Sequence, residues 1–225
     1  MKKSNIFISF LAIAIITGMF LVNADLKKEY TKIDLKDPFK NYLSIDHESY
    51  SVLDISGSNG YPIQIIQKDT NNIKILRSRL NHFKSELRND TMFVKFTGSN
   101  IPMNQRHNSS TPYGIIIENS ELTKIVSTNT HNRIFDFSNT NLQISLKGNS
   151  FMEVNNCNIN TLQINLENTS YIDFIINNKA DSLDLIMKDK SIASLQKMSF
   201  NKINHSLKDS VTIVLSKDAF NTILK

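Results

Sequence analysis

Leu142-Gln143-Ile144-Ser145-Leu146 recurs as Leu162-Gln163-Ile164-Asn165-Leu166 and again as Leu183-Asp184-Leu185-Ile186-Met187. Eight residues after each opening leucine stands a serine: Ser150, Ser170 and Ser191. A large apolar residue follows each serine at once (Phe151, Tyr171, Ile192), and another comes three positions later (Val154, Phe174, Leu195). A looser copy runs through Ile203, Leu207, Ser210, Val211 and Val214, which sets the serines 20, 21 and 19 residues apart. Upstream, Leu122/Ile125 and Ile134/Phe137 keep only the second half of the pattern. A period near 20 residues is that of a solenoid, whose units cannot bury an apolar face alone and must stack. In each copy Leu, Ile and Leu share one strand face, with Gln, Ser, Asn or Asp on the other. No part of the unit sustains a helical period. The fold class predicted is therefore all-β: a β-helix, or β-solenoid, with coils of about 20 residues stacked roughly 4.8 Å apart. Leucine-rich repeats share the period but require L-x-x-L-x-L-x-x-N; only Asn149 satisfies that asparagine, and Thr169 replaces it in the next copy.

Outward from the repeat, the same period-two texture begins near His47, in Val52–Ile55, Ile63–Ile65, Ile73–Ile75 and Met92–Phe96. Turn-forming clusters separate these runs: Gly57-Ser58-Asn59-Gly60, Asp69-Thr70-Asn71-Asn72 and Arg88-Asn89-Asp90. Residues 98–113 read as an exposed loop. Thirteen of the fifty residues 129–178 are asparagine. Asn tolerates left-handed backbone angles, so Asn139, Asn141, Asn158, Asn160, Asn177 and Asn178 are expected at the corners, with hydrogen bonds running from coil to coil.

At the other end of the chain, Met1-Lys2-Lys3 precedes an apolar run from Ile6 to Val22. The run lies between a signal-peptide core and a full membrane span. Residues 1–24 are thus either a signal anchor retained in the membrane or a signal peptide cleaved after Ala24. Lysines ahead of the run place the remainder outside the cytoplasm in both cases. Residues 25–45 read as a juxtamembrane spacer, and 46–225 as the solenoid domain. Without Lys2 and Lys3 a chain of net charge +5 retains +3, with its lysines scattered and no aromatic platform, so nucleic acid is not expected as a partner. The single Cys157 excludes a disulfide scaffold.

No catalytic constellation emerges, and no catalytic, cofactor-binding or metal-binding residue is assigned. Under the repeat, Glu153 and Asp173 become neighbours in one column that continues as Ser194, with no arginine or lysine joining it. Such a pair could raise one carboxyl pKa or hold a calcium ion, and is the only foothold for a β-helix carbohydrate-active enzyme. Lys147, Glu167, Lys188 and Lys208 form a second column, read as a surface charge ladder. His47, His82, His107, His131 and His205 lack metal-ligand spacing, and Cys157 reads as a plain small residue.

The chain resembles the head GIN domain group of adhesin-like auto-transporter proteins, exported bacterial proteins common in Bacteroidetes. The resemblance is carried by the Met1-Lys2-Lys3-Ser4-Asn5 start, the Tyr50–Lys68 strand pair broken by Gly57 and Gly60, the Asn89–Val94 strand and the L-x-I-x-L coils out to Val214. It departs from the group in its few glycines and in the polar 98–113 loop. The resemblance implies a β-helix-like fold at the cell envelope and no established biochemical activity. The function expected is that of a non-catalytic, extracytoplasmic, membrane-tethered protein whose solenoid surface binds envelope glycan or protein. A structural or accessory subunit of an envelope complex is the alternative, ahead of an enzyme.

Overall fold

The structure, a computed structural model, describes residues 3–31, 36–57, 62–97, 113–217 and 219. Most of the 98–113 loop, Ser58 to Gly60 of the first turn, His107 and the last six residues lie outside the described residues. The chain divides into two compact units, Met1–Asn41 and Tyr42–Lys225.

In the first unit, helix α1 spans Lys3–Thr31. Its segment Ile6–Thr31 has 26 residues and is apolar enough to cross a membrane. At 1.5 Å per residue that is about 39 Å, against roughly 30 Å of hydrocarbon. The Thr17 hydroxyl donates to the Ile13 carbonyl at 2.8 Å, which satisfies it inside the helix. The helix runs past Ala24 without a break, and both an anchor and a signal sequence have this form.

The second unit is built of strands β1 (Tyr42–Asp46), β2 (Val52–Ser56), β3 (Ile63–Gln67), β4 (Asn72–Leu76), β5 (Phe83–Arg88), β6 (Thr91–Phe96), β7 (Ile115–Asn119), β8 (Lys124–Thr128) and β9 (His131–Phe135). They continue as β10 (Ser138–Lys147), β11 (Phe151–Asn155), β12 (Asn158–Leu166), β13 (Tyr171–Ile176), β14 (Asn178–Met187), β15 (Ile192–Ser194), β16 (Met198–Leu207) and β17 (Thr212–Val214). One sheet has nine strands in the order β1-β4-β7-β3-β9-β11-β13-β15-β17, and the other eight in the order β16-β14-β12-β10-β8-β2-β6-β5. From β8 onward each coil gives one strand to each sheet, and all these pairings are parallel. This is the β-solenoid that the repeat predicts.

Register follows the repeat residue for residue. Leu142, Leu162 and Leu183 stack, as do Ile144, Ile164 and Leu185, and then Leu146, Leu166 and Met187. All are buried, and each such side chain contributes about 1.5–3 kcal/mol by leaving water. The serines turn inward at the corner that precedes the nine-stranded sheet, where Ser150, Ser170 and Ser191 are fully buried. The Ser150 hydroxyl donates to the Lys147 carbonyl at 2.7 Å, beside the Asn129 amide that donates to the same oxygen at 3.1 Å, so the buried hydroxyl is satisfied at the turn. The residue after each serine then points outward.

Left-handed backbone serves both corners, but not at the asparagines expected. The first corner uses Asn129, Gly148, Asn168, Thr169, Asp189, Lys190 and Asp209; the second uses Asp136, Asn156 and Asn177. Of the six asparagines placed at corners by sequence, only Asn177 is left-handed; the others lie within β10, β12 and β14. Those strands bend midway. Consecutive outward residues, Thr140-Asn141, Asn160-Thr161 and Asp181-Ser182, break the alternation where the ladder skips a pair. The coil-to-coil hydrogen bonds are present: Asn156 donates to Asp136 at 2.6 Å, Asn204 to Asp184 at 2.7 Å and Thr169 to Asn149 at 2.7 Å.

Two features depart from a simple stack. Leu122/Ile125 and Ile134/Phe137 belong to a complete coil, not half of one: Ile125 of β8 stacks on Ile144, and Ile134 of β9 on Val154. The coil β2–β3 is inserted between β6–β7 and β8–β9, so that neighbours in space are distant in sequence. Beyond β6 and β7 the direction reverses, with β5 antiparallel to β6 and β4 antiparallel to both β7 and β1.

Glu118 pins this end. Its carboxylate is buried and accepts from Lys68 and Lys74, both at 2.6 Å. Burial pushes its pKa up, but the hydrogen bonds and charges of the two lysines outweigh burial and hold the group below its ordinary value. A depressed folded pKa means that its stabilisation is complete above the unfolded carboxyl value, about 4.3, and is lost as pH falls through the folded one. Acid titration of the melting temperature is expected to show a loss beginning near pH 4 that is smaller in Glu118→Gln. Identical acid limbs in the two proteins would refute the assignment.

Candidate binding face on the nine-stranded sheet

The outer face of β9, β11 and β13 carries three files of side chains. Glu153 and Asp173 are adjacent in the parallel pair β11–β13, and Ser194 follows on β15, as the repeat requires. The column does not lack a cation, however. Arg133 of β9 stands directly beside Glu153, and its guanidinium pairs with that carboxylate. The expectation of a column without arginine is corrected by the β8–β9 coil being complete. Arg133 precedes Glu153 by the same 20 residues that separate Glu153 from Asp173, so the signal was present in the sequence. Arg133 also lies over the Tyr113 ring, 5.8 Å from its centroid. Asp173 makes no ion pair among the described residues.

The second file is aromatic. His131, Phe151 and Tyr171 stack at the same 20-residue interval, with Ile192 next. Ring centroids of His131 and Phe151 are 4.7 Å apart and those of Phe151 and Tyr171 are 5.1 Å apart, the latter pair inclined by only 25°. Phe151 and Tyr171 thus lie face over face, while His131 is tilted by 51° against Phe151.

The third file ends in a bulge. Between Val154 and Asn155 the β11–β13 register shifts, so Asn155 pairs with Ile176 and Ile175 is left over. Both isoleucines face solvent, Ile175 at 36% and Ile176 at 53% exposure, with Ile192 at 37%. A bulge re-aims side chains in this way, and no sequence signal located it.

Other candidates fall out differently. Lys188 lies 3.6 Å from Glu167 in the second charge column, an exposed pair worth under about 1 kcal/mol. The Cys157 thiol is buried, and burial pushes its pKa up to about 11, far from the range of a reactive thiolate. Among the described residues no group of three or more His, Cys, Asp or Glu lies close enough to hold a metal. A groove of about 710 Å³ follows the second corner over Asn156, Asn177, Gln196, Lys197 and Phe200, and its walls mix amides and lysines with apolar side chains.

Fold and face together define a β-solenoid unit accompanied by an apolar helix. No family model and no curated protein matches the chain. Among solved structures it is similar to a "putative adhesin" from Bacteroides fragilis, with 10% identity and a TM-score of 0.47 over 78% of this chain and 94% of that one. It is also similar to a "putative lipid binding protein" from Parabacteroides distasonis, with 12% identity and a TM-score of 0.41 over 78% and 93%. A "putative adhesin" from Parabacteroides merdae shows 11% identity and a TM-score of 0.31 over 78% and 95%.

Proposed function

We propose that this chain is a non-catalytic, extracytoplasmic envelope protein, held to the membrane through α1, that receives a protein segment on the outer face of the nine-stranded sheet. The observation that carries the reading is the apolar surface at Tyr171, Ile175, Ile176 and Ile192, beside the Asp173 carboxylate, which makes no ion pair among the described residues. Two adjacent isoleucines held in water by a bulge are costly unless something covers them. Protein is favoured over glycan because a sugar stacks on an open aromatic face, whereas the faces of Phe151 and Tyr171 cover each other. Binding is favoured over catalysis because Glu153 is committed to Arg133, while acid–base work on a glycan requires two available carboxyl groups. An apolar face flanked by Asp173 fits a segment with basic and aliphatic side chains.

The test is quantitative binding of the chain, in detergent micelles, to envelopes of the cell that makes it. Saturable binding is expected, weakened about tenfold by Ile176→Asp, since losing one apolar anchor costs about 1.4 kcal/mol or more. Protease treatment of the envelopes is expected to abolish it. Survival through protease with loss after periodate oxidation would transfer the face to glycan. Release of reducing ends from a uronate polymer, lost in Asp173→Ala, would replace binding by catalysis.

A further inference from the structure

The second charge column is longer than its repeat. On the outer face of the eight-stranded sheet, Thr128 of β8 pairs with Lys147, Ser56 of β2 with Thr128, Lys95 of β6 with Ser56, and Lys84 of β5 with Lys95. Toward the other end the ladder continues through Glu167, Lys188 and Lys208, whose amides bond to Leu146, Leu166 and Met187 of the coil before. One file thus crosses all eight strands, roughly 34 Å at about 4.8 Å per step. It holds five lysines and one acid. The non-consecutive order of β5, β6, β2 and β8 brings Lys84 and Lys95 into it, which is why the 20-residue period alone misses them.

Two observations separate this file from an ordinary solvated surface. Lys84 and Lys95 stand directly opposite each other in an antiparallel pair, an arrangement that costs stability when no anion lies between. Lys84, Lys95, Lys147 and Lys208 make no ion pair among the described residues, and the nearby Glu86 is taken by Arg88 at 2.6 Å. The next row across, Asp54, Val126, Ser145, Asn165 and Ile186, carries no lysine or arginine. In the row beyond it Arg88 and Lys124 are the cations, and Arg88 is paired with Glu86, so the positive charge is concentrated in this file.

We infer that this lysine file is a track for a linear acidic glycan lying along the solenoid axis, one whose carboxylates repeat along the chain. A flat anionic membrane would engage charge spread across several rows. Single-stranded nucleic acid would require stacking rings at successive steps, and the row beside the file offers only Phe93. Lysine heads on flexible stems suit repeated point charges rather than forked recognition of single groups. Glu167 interrupts the track and opposes the ligand. The site lies on the sheet opposite the proposed protein-binding face and stands independently of it.

The experiment measures binding of the chain in detergent micelles to polygalacturonate, with neutral dextran, duplex DNA and anionic phospholipid vesicles as parallel probes. Polygalacturonate is expected to bind and dextran not, with affinity falling about tenfold between roughly 50 and 200 mM salt. The double variant Lys95→Glu/Lys147→Glu is expected to weaken binding at least about tenfold, and Glu167→Gln to strengthen it about threefold. Both sites are exposed and replacing Lys95 relieves its repulsion with Lys84, so melting is expected to hold or rise slightly, and Lys95→Gln/Lys147→Gln repeats the test without new charge. Ile176→Asp should leave this binding intact, which separates the two faces. Equal affinity for DNA or vesicles, or no response to the lysine variants, would overturn the assignment.

Discussion

Ile164→Asp is expected to leave the second unit without a cooperative melting transition. Ile164 is fully buried in the file formed with Ile125, Ile144 and Leu185, so it touches the coil on either side. Truncating such a residue to alanine costs about 2–5 kcal/mol through lost transfer energy and the cavity left behind. Aspartate adds the cost of an unpaired buried charge, against a total stability of only about 5–15 kcal/mol for a domain. Thermal melting followed by circular dichroism tests this, with Gln163→Ala on the outward side of the same strand as control. The control is expected to stay within about 0.5 kcal/mol of the parent. A melting temperature for Ile164→Asp close to that of the control would show that the leucine–isoleucine files do not form the interior.

Gly57→Ala is expected to destabilise the unit by about 3 kcal/mol, or roughly 6–12 °C in melting temperature. Gly57 ends β2 at φ +97°, a conformation open to glycine and strained for any residue with a side chain. A Cβ there would stand 2.3 Å from the carbonyl oxygen of Phe96, an atom fixed in backbone that cannot swing aside. The Gly57 amide also donates to the Thr128 carbonyl at 3.2 Å, so any retreat pulls at the contact between the inserted coil and β8. Gly18 of α1 is the contrasting case: a Cβ there meets nothing within 4 Å, and Gly18→Ala is expected to be neutral or slightly stabilising. Equal melting of parent and Gly57→Ala would contradict the close approach at Phe96.

What the sequence disclosed, it disclosed through periodicity. Leu162, Ile164 and Leu166 announce their own register because neighbouring coils are 20 or 21 residues away and alike in residue type. Arg133, His131, Phe151 and Tyr171 obey the same step and were readable in principle, but their residue types vary along the column and only arithmetic reveals them. The corner residues were misplaced because asparagine serves several local roles, and the strand bend at Asn160-Thr161 changes which role each one takes. Ile175 and Ile176 were out of reach, since a bulge is a decision of backbone pairing and not of side-chain pattern. The lysine track was hidden for a different reason. Its first half depends on β5, β6 and β2 lying beside β8, an order set by long-range contacts with no periodic trace.

That insertion has a consequence for how the chain is assembled. Strands β2 and β3 are synthesised before every strand that flanks them, so one edge of each stays bare until Phe96 and Asn119 exist, and the other until Thr128 and Phe135 do. The later coils need only their immediate predecessor and can zip up one after another, each closing a short loop. The strands before Asn129 therefore pair out of sequence order, whereas the coils after them can add in order. During that wait Leu53, Ile55, Ile63 and Ile65 form two adhesive ribbons, and this is the interval in which a helper that shields nascent strands has most to do.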